Sequence, residues 1–589
     1  MSKSLIQLRR RKGERRVDDV VHTPLQMLKE IMHDKRVIDD GDIAAVARAT
    51  GQPEAAVYGV ATYYGDLGTK KRGRTRVKVC KGTACHAAAK DASAEWMSEA
   101  LDLEVGETRD DGEVSLEAVY CLGFCNAGPA VEVEGRIYGK LTPERARALA
   151  KDLAGGGGMP EAHDAHVPRF EVHGGPAIVL ERLAQDCDAT DLATARTHGA
   201  FDGLTKALAM DPAKILDEVE ASGLRGRGGA GFLTAQKWRF AAQARVGAGE
   251  SFVVANADEG DPGSYIDKYL MERDPFALIE GLAIAALAIG ARRGFVYVRS
   301  EYPRSAPALR RAVEQARAAG ILGAHVLGSN VAFDVEIALG AGSYVCGEET
   351  ALLRSLEGLR GVVTARPPFP AEKGLFDKPT VVNNVETLAN LGWILRHGGA
   401  AYGAIGVGKS RGTKVVSLNE RFARPGMYEV PLGTSLKGVL LDLGGGLENG
   451  RPIKAVQIGG PLGGILPGTD LDVPLGFEEL AQKKALLGHG GIVAWDDTVD
   501  AKDIAVHLFE FCDAESCGKC FPCRIGGRRG LEIAQRLRAG TATKDDVALL
   551  RELVETLRLG SLCAHGGAIP DPIESLLSHF GTEMTGGAK

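Results

Sequence analysis

The chain has 589 residues, of which 44% are apolar and 25% charged, so its composition is that of a globular protein with several cores and excludes a fibrous or disordered one. A net charge of −6 leaves no electrostatic footprint for a nucleic acid, and the most apolar run, 277–291, is too short to span a bilayer and contains Glu280. Eleven cysteines without an apolar secretory leader point to metal or redox chemistry in the cytoplasm rather than to disulfides.

Residues 1–19 form a basic tail. MSKSLIQLRRRKGERR carries seven basic residues in sixteen and reads as a solvated segment, with a docking arm for an acidic partner as the alternative. Thr23-Pro24 has the form of an N-cap followed by a first-turn proline, and Asp42 and Pro53 open two further helical patterns. RVKVC (76–80) alternates as a strand, 84–100 is helical, and 113–121 and 130–138 are strands, the second interrupted by the turn-like Glu134-Gly135. Thr142-Pro143 starts a helix that runs to Leu153. Residues 20–154 are thus expected as a helical unit plus an α/β unit of thioredoxin size. GGGG (155–158) opens a linker over 155–195, in which His163, His166 and His173 read as solvated, with a metal site as the alternative.

From 196 to 412 helices alternate with short apolar strands, FVVANAD (252–258), GFVYVRS (294–300) and VAFDVEIAL (331–339). Residues 413–500, with VVSL, MYEV, VQIGG and ILPG, form a small β-rich module, and 501–589 are helical. The fold class is multidomain α/β and α+β.

Two cysteine groups carry chemistry. Cys517, Cys520 and Cys523 recur at every third position, and Cys563 is the only cysteine downstream. Three thiolates in one loop suit three corners of a [4Fe-4S] cubane, with Cys563 as the fourth ligand; zinc or free thiols are the alternatives. Cys80, Cys85, Cys121 and Cys125 form two pairs at strand ends and suit [2Fe-2S] or zinc. The small residues around them would let backbone N–H groups reach sulfur. Cys187, Cys346 and Cys512 read as buried or spare thiols.

GLRGRGGAGF (223–232) carries Gly226-x-Gly228-x-x-Gly231, but a helical stretch, 212–221, precedes it where a Rossmann loop needs a strand. A glycine loop that brings backbone amides to a phosphate or a flat ring fits better, with Arg225, Arg227 and Lys237 supplying charge; a flexible turn is the alternative. Asn256, Asp258, Glu259 and Asp261 follow one strand, and Tyr344, Gly347, Glu348 and Glu349 follow another. Carboxylates at strand C-termini face the ligand crevice of α/β proteins, can hold ribose hydroxyls, and repel the extra phosphate of NADP.

GLRGRGGAGFLTAQKW, NADEGDPGSYIDKYLMERDPFALIEG, GAGSYVCGEETALLRSLEG, RPPFP, KPTVVNNVETLAN and ESCGKCFPCRIG…SLCAHGG together resemble the FMN-containing flavoprotein subunit of respiratory complex I, over about residues 200–589. Residues 20–154 resemble that enzyme's thioredoxin-like [2Fe-2S] subunit. The single-chain arrangement is similar to the diaphorase subunits of NAD-dependent formate dehydrogenases and NAD-reducing hydrogenases. GGPLGGILP, GHGGIVAWDDTVD and ESCGKC look closer to the formate dehydrogenase beta subunit.

The resemblance implies that Gly226, Gly228 and Lys237 hold the phosphate end of FMN. It places Asn256, Asp258, Glu259, Gly347, Asn383 and Asn384 around the flavin. Phe232, Phe240 and Phe369 are expected to stack near NAD(H), and Glu348 and Glu349 to act at the catalytic contact. Asp261 and Arg366 stand where the family often has Glu and Lys, which changes the reach of those contacts. Residues 413–500 are expected to be a ubiquitin-like β-grasp domain. The implied cofactors are FMN, NAD, a [2Fe-2S] and a [4Fe-4S] cluster. The implied partner is a molybdenum or tungsten formate dehydrogenase alpha subunit with further iron–sulfur clusters. A hydrogenase or complex I partner is the alternative, and a non-catalytic zinc or cluster scaffold a more distant one.

Overall fold

The fold is taken from a computed structural model, which describes residues 23–154, 167–185 and 187–586; the basic tail, the GGGG run, His163 and His166 lie outside the described residues.

Local signals set the first three helices. Thr23 accepts the N–H of Gln26, and Pro24 opens the helix Pro24–Lys35. The second helix, Asp40–Thr50, is capped by Asp39; Asp42 is the reciprocal third residue of a capping box rather than the opening residue expected. The third is Glu54–Ala61. Three short helices bury too little surface to close a core alone. Their apolar faces, with Leu25, Leu28, Ile38, Val57 and Val60, pack against Phe252, Val254, Phe295, Tyr297 and Leu352 of the central domain. The helical unit thus packs on the central sheet.

The small α/β unit has a four-stranded sheet in the order Val114–Val119, Thr75–Cys80, Val131–Val133, Arg136–Tyr138. The first pair is parallel and needs a crossover, supplied by the helices Thr83–Ala89 and Ala92–Leu101. The sequence predicts one helix there; the chain breaks it at Lys90, whose φ is 53°. Glu134 and Gly135, both at positive φ, turn the last two strands into a hairpin.

Four parallel strands form the central sheet, in the order Asp334–Leu339, Arg293–Val298, Phe252–Ala257, Thr380–Asn384. Strand alternation divides its faces. Phe252 and Val254 meet the N-terminal helices, while Val253, Ala255 and Ala257 join the core of the helix Pro275–Ile289. That helix holds most of the apolar run 277–291, and its buried Glu280 accepts the N–H of Leu204 at 2.9 Å. Among the described residues, no helix is long and apolar enough to cross a membrane. Because the strands are parallel, their C-termini share one edge, and the polar loops at 256–264, 340–349 and 383–384 meet there.

The β-rich module is a mixed six-stranded sheet in the order Ile465–Pro467, Ile453–Ile458, Gly491–Asp496, Thr413–Leu418, Gly426–Pro431, Arg169–Val172. Its last strand falls inside the stretch expected as a linker, and the N–H groups of Ile178, Val179 and Leu180 close on the buried Glu429 carboxylate at 2.8–3.2 Å. From 167 onward that stretch, as far as it is described, is structure and not linker. A fully buried Lys414–Glu386 ion pair ties the module to the central domain. The helices Ala501–Ala514, Phe521–Arg538, Lys544–Gly560 and Pro570–His579 complete the chain's C-terminal part.

Candidate functional site

Cys80 ends a strand, Cys85 lies in the helix that follows, Cys121 comes just after the neighbouring strand, and Cys125 starts a short 3-10 turn. All four are 2% exposed or less, and the sulfurs of Cys121 and Cys125 are 3.4 Å apart. Four thiols converging in a dry site favour a bound metal group over free thiols. The N–H of Gly123 points at Cys121 Sγ (3.2 Å). The N–H of Gly263, from the central domain, points at Cys125 Sγ (3.3 Å). Two buried cations fasten this loop to the central domain. Arg299 donates to the carbonyls of Tyr120 and Glu259, and Lys268 donates to that of Gly123 while lying 3.1 Å from the Phe124 ring centroid.

The second cysteine group surrounds a helix start. Cys520 is the N-cap of Phe521–Arg538, Cys523 lies in its first turn, and Cys563 caps the turn Ala564–Gly567. Cys517 and Cys563 share a small apolar cluster with Val345, Ala351 and Val363. Gly566 brings the Cys563 turn close: a Cβ there would stand 2.7 Å from Cys523 Cβ. Cys512, expected as a spare thiol, is buried beside Cys523; its sulfur, that of Cys523 and a ring nitrogen of His565 lie within 4.8 Å of one another. Contact with the Cys512 thiol lowers the Cys523 thiol to about 7. His565 donates from Nε2 to the Cys512 carbonyl at 3.0 Å.

The glycine loop follows the helix Pro212–Ser222, as the sequence predicts. Gly228 is packed so closely that a Cβ would lie 2.7 Å from Asn384 Cβ, whereas one at Gly226 would meet only ordinary contacts, the nearest the Phe232 carbonyl oxygen at 3.8 Å. Two of the three cations expected there are engaged elsewhere. Arg225 pairs with Glu478 and stacks on Phe477; Arg227 is fully buried and donates to Tyr402 Oη and the Arg411 carbonyl. Lys237 alone turns to the crevice, between Glu349 Oε2 (3.2 Å) and the Val382 carbonyl (3.0 Å). Glu349 Oε1 meets Arg366 Nη1 at 2.9 Å, so Lys237, Glu349 and Arg366 form one charged row. Phe232, Phe240 and Phe369 are each about half exposed, and the Arg366 guanidinium lies 5.9 Å from the Phe369 ring centroid.

The polar residues divide into pocket groups and scaffold groups. Glu259 accepts from Ser264 Oγ and the N–H groups of Ile266 and Lys268, closing the start of the helix Ile266–Arg273, and burial raises its pKa to about 7. Asn384 is likewise a helix N-cap, bonded to Thr387 and donating to Asp267. Asn383 accepts from Trp238 Nε1 at 2.8 Å, and Asn256 donates to the Gly347 carbonyl at 2.7 Å. Asp258 differs: its Oδ2 is buried without a hydrogen-bond partner. Glu348 does both: Oε2 caps the helix Glu349–Leu356 by accepting the N–H groups of Thr350 and Ala351, while Oε1 makes no hydrogen bond and lies 3.8 Å from Arg366 Nη2. Burial pushes the Asp258 carboxyl well above the usual carboxylate range. Buried acceptors without donors are costly unless a ligand supplies N–H or O–H groups, as the ring of FMN and its ribityl chain do. The donor set and the open glycine loop therefore fit FMN.

Tyr344 and the 260–263 loop connect these sites. Tyr344 Oη donates to Asp261 Oδ1 at 2.7 Å, and its ring meets Phe511 and His565 beside the second cysteine group. On the other side, Gly263 of the same loop as Asp261 reaches Cys125. The loops 256–264 and 340–349 at the C-terminal edge of the central sheet thus lie between the two cysteine sites. Trp238, Arg299, Lys268 and His489 are functional-site neighbours that sequence reasoning missed; GHGG around His489 was the one available signal.

Residues 219–393 match the family model of the Nuo51 FMN-binding domain, 15–154 that of the thioredoxin-like [2Fe-2S] ferredoxin, and 503–586 that of the NADH-ubiquinone oxidoreductase-F iron-sulfur binding region. The NADP-reducing hydrogenase subunit HndC of Solidesulfovibrio fructosivorans is 46% identical over 383 residues, covering 65% of this chain and 78% of that protein. An NADH-quinone oxidoreductase subunit of Rhizobium meliloti (strain 1021) is 41% identical over 408 residues, 69% of this chain and 96% of that protein. The crystal structure of an NAD+-reducing [NiFe]-hydrogenase in the H2-reduced state matches with a TM-score of 0.83 at 32% identity, over 96% of this chain and 93% of that one.

Proposed function

The chain belongs to the NADH-quinone oxidoreductase flavoprotein family that carries the Nuo51 FMN-binding domain, here joined to a thioredoxin-like [2Fe-2S] ferredoxin domain, and from that premise we propose that it is the NAD(H)-converting beta subunit of an NAD-dependent formate dehydrogenase. The observation that carries the converter role is the placement of one crevice between two cysteine sites, reached on one side through Gly263 and on the other through Tyr344. Bound FMN supplies both hydride exchange with nicotinamide and one-electron exchange with iron.

The chain's residues bind and orient. Gly226, Gly228 and Lys237 hold the phosphate end, and Asp258 Oδ2 and Glu348 Oε1, neither of which makes a hydrogen bond within the chain, accept from ligand donors, with Arg366 3.8 Å from the latter. Glu349, fixed between Lys237 and Arg366, and Asp261 orient the nucleotide; Phe232, Phe240 and Phe369 offer stacking faces. Glu348 and Glu349 act by orientation, because hydride transfer needs alignment and no protein acid or base. Cys80, Cys85, Cys121 and Cys125 hold the [2Fe-2S] cluster, and Cys517, Cys520, Cys523 and Cys563 the [4Fe-4S] cluster. The latter is the exit to the partner, the former a branch.

Formate as the distal substrate rests on the motifs GGPLGGILP, GHGGIVAWDDTVD and ESCGKC; the formate chemistry itself belongs to a molybdenum or tungsten alpha subunit. A hydrogenase partner is the second reading, favoured by the match to an NAD+-reducing [NiFe]-hydrogenase along 96% of this chain. Native affinity purification followed by assays with NAD+ and either formate or H2 separates the two. Formate-dependent NAD+ reduction is expected; activity with H2 alone would replace the formate assignment.

A further inference from the structure

His489 closes a polar network in the middle of the crevice. It lies in the turn before the strand Gly491–Asp496 of the β-rich module, and the preceding Gly488 forms a β-bridge with Gly229 of the glycine loop. The ring therefore enters beside the loop assigned to FMN. Its Nδ1 is 3.0 Å from Asp261 Oδ2 and its Nε2 3.5 Å from Asp267 Oδ2. The Asp261 and His489 side chains keep 14% and 13% of their exposure, so neither is sealed off, while Asp267 is sealed at 1%. Asp261 Oδ1 takes the Tyr344 hydroxyl, and Asp267 takes Asn384 Nδ2 (2.7 Å) and the Glu386 N–H (3.1 Å). Gly460, from the module's other glycine turn, makes room for Asp261: a Cβ there would lie 2.6 Å from Asp261 Cγ.

Geometry sets the charge of this ring. Both nitrogens face carboxylate oxygens, and a neutral imidazole has one N–H, which would leave a lone pair against one carboxylate. Burial opposes the charged form, but the hydrogen bonds to Asp261 and Asp267 outweigh it and hold the ring well above its ordinary range. The other charged groups around it are Asp258 and Glu259 on the same loop as Asp261, and the Lys414–Glu386 pair behind it; Lys414 Nζ donates to the His489 carbonyl at 2.8 Å.

We propose that His489, as an imidazolium bridging Asp261 and Asp267, is a positioning residue of the flavin–nucleotide pocket, fixing Asp261 at the pocket wall and offsetting its charge. The proposal rests on the reading of the site given above. Bound FMN would take two electrons and one proton from the nicotinamide as hydride, and the departing NAD+ would leave one added negative charge for His489 to offset. Without the imidazolium, that charge would develop beside two uncompensated carboxylates.

The test uses the FMN- and iron-loaded protein with His489→Gln and His489→Lys. The Gln variant should keep FMN and both iron signals. Its flavin midpoint potential should fall by an amount equal to about a tenfold change in the equilibrium with NADH, roughly 30 mV for a two-electron couple. The Lys variant, which returns the charge, should recover most of that shift. An unchanged potential in the Gln variant, or an equal fall in both variants, would overturn the proposal. So would loss of FMN from both, because the grip on the phosphate at Gly226 and Lys237 is separate. A wild-type protein that takes up no FMN would remove the reading of the site, and this proposal with it.

Discussion

Cys563→Ala is expected to abolish the EPR signal of the reduced [4Fe-4S] cluster while FMN stays bound and the [2Fe-2S] signal persists. Each iron of a cubane takes one thiolate, and three thiolates from the 517–523 loop leave one corner open. The structure supplies two candidates for it. Cys563 sits in the same apolar cluster as Cys517, and its turn packs on Cys523 through Gly566. Cys512 touches Cys523 from within the helix Ala501–Ala514, at 0% exposure. Hence the matched variant Cys512→Ala should retain the cubane signal. If Cys512→Ala lost it and Cys563→Ala kept it, the ligand set would be Cys512, Cys517, Cys520 and Cys523.

Gly228→Ala is expected to strip FMN from the pocket. The new Cβ would stand 2.7 Å from Asn384 Cβ, and Asn384 cannot give way, because it caps the helix Val385–His397 and holds Asp267. Overpacking of this kind costs about 1–3 kcal/mol, which moves the glycine loop and weakens FMN by roughly 5- to 150-fold. Fluorimetric FMN titration should show this weakening, with NADH-dependent dye reduction falling in step and both iron signals intact under dithionite. Gly226→Ala, whose Cβ would make only ordinary contacts at 3.8 Å and beyond, should retain most of its affinity. Equal flavin binding by Gly228→Ala and wild type would remove this loop from the phosphate site.

The strands and cysteine spacings were legible because their signals are local. Alternation in FVVANAD and GFVYVRS, Pro at helix starts and the three-residue cysteine period each operate within one turn or strand. Roles that depend on distant partners were not. A polar residue after a strand can line a pocket or cap the next helix: Glu259 and Asn384 do the latter, Asp258 keeps an oxygen without a hydrogen bond, and Glu348 caps with one oxygen and faces Arg366 with the other. Arg225 and Arg227 looked like phosphate cations, yet Glu478, Tyr402 and the Arg411 carbonyl claim them from the β-rich module and the chain leading into it. The N-terminal helices showed an apolar face but not that its partner is the sheet beginning at Phe252. His489 meets Asp261 across 228 residues of sequence, a pairing that neither period nor motif encodes.

The central claim is that one polypeptide converts a two-electron carrier into single-electron iron chemistry. Anaerobic titration of the isolated, fully loaded chain with NADH, followed by visible absorbance and low-temperature EPR, tests it most directly. The account predicts bleaching of the yellow chromophore together with growth of the [4Fe-4S] signal at substoichiometric NADH. Bleaching without any iron signal, in a sample whose clusters dithionite readily reduces, would contradict it.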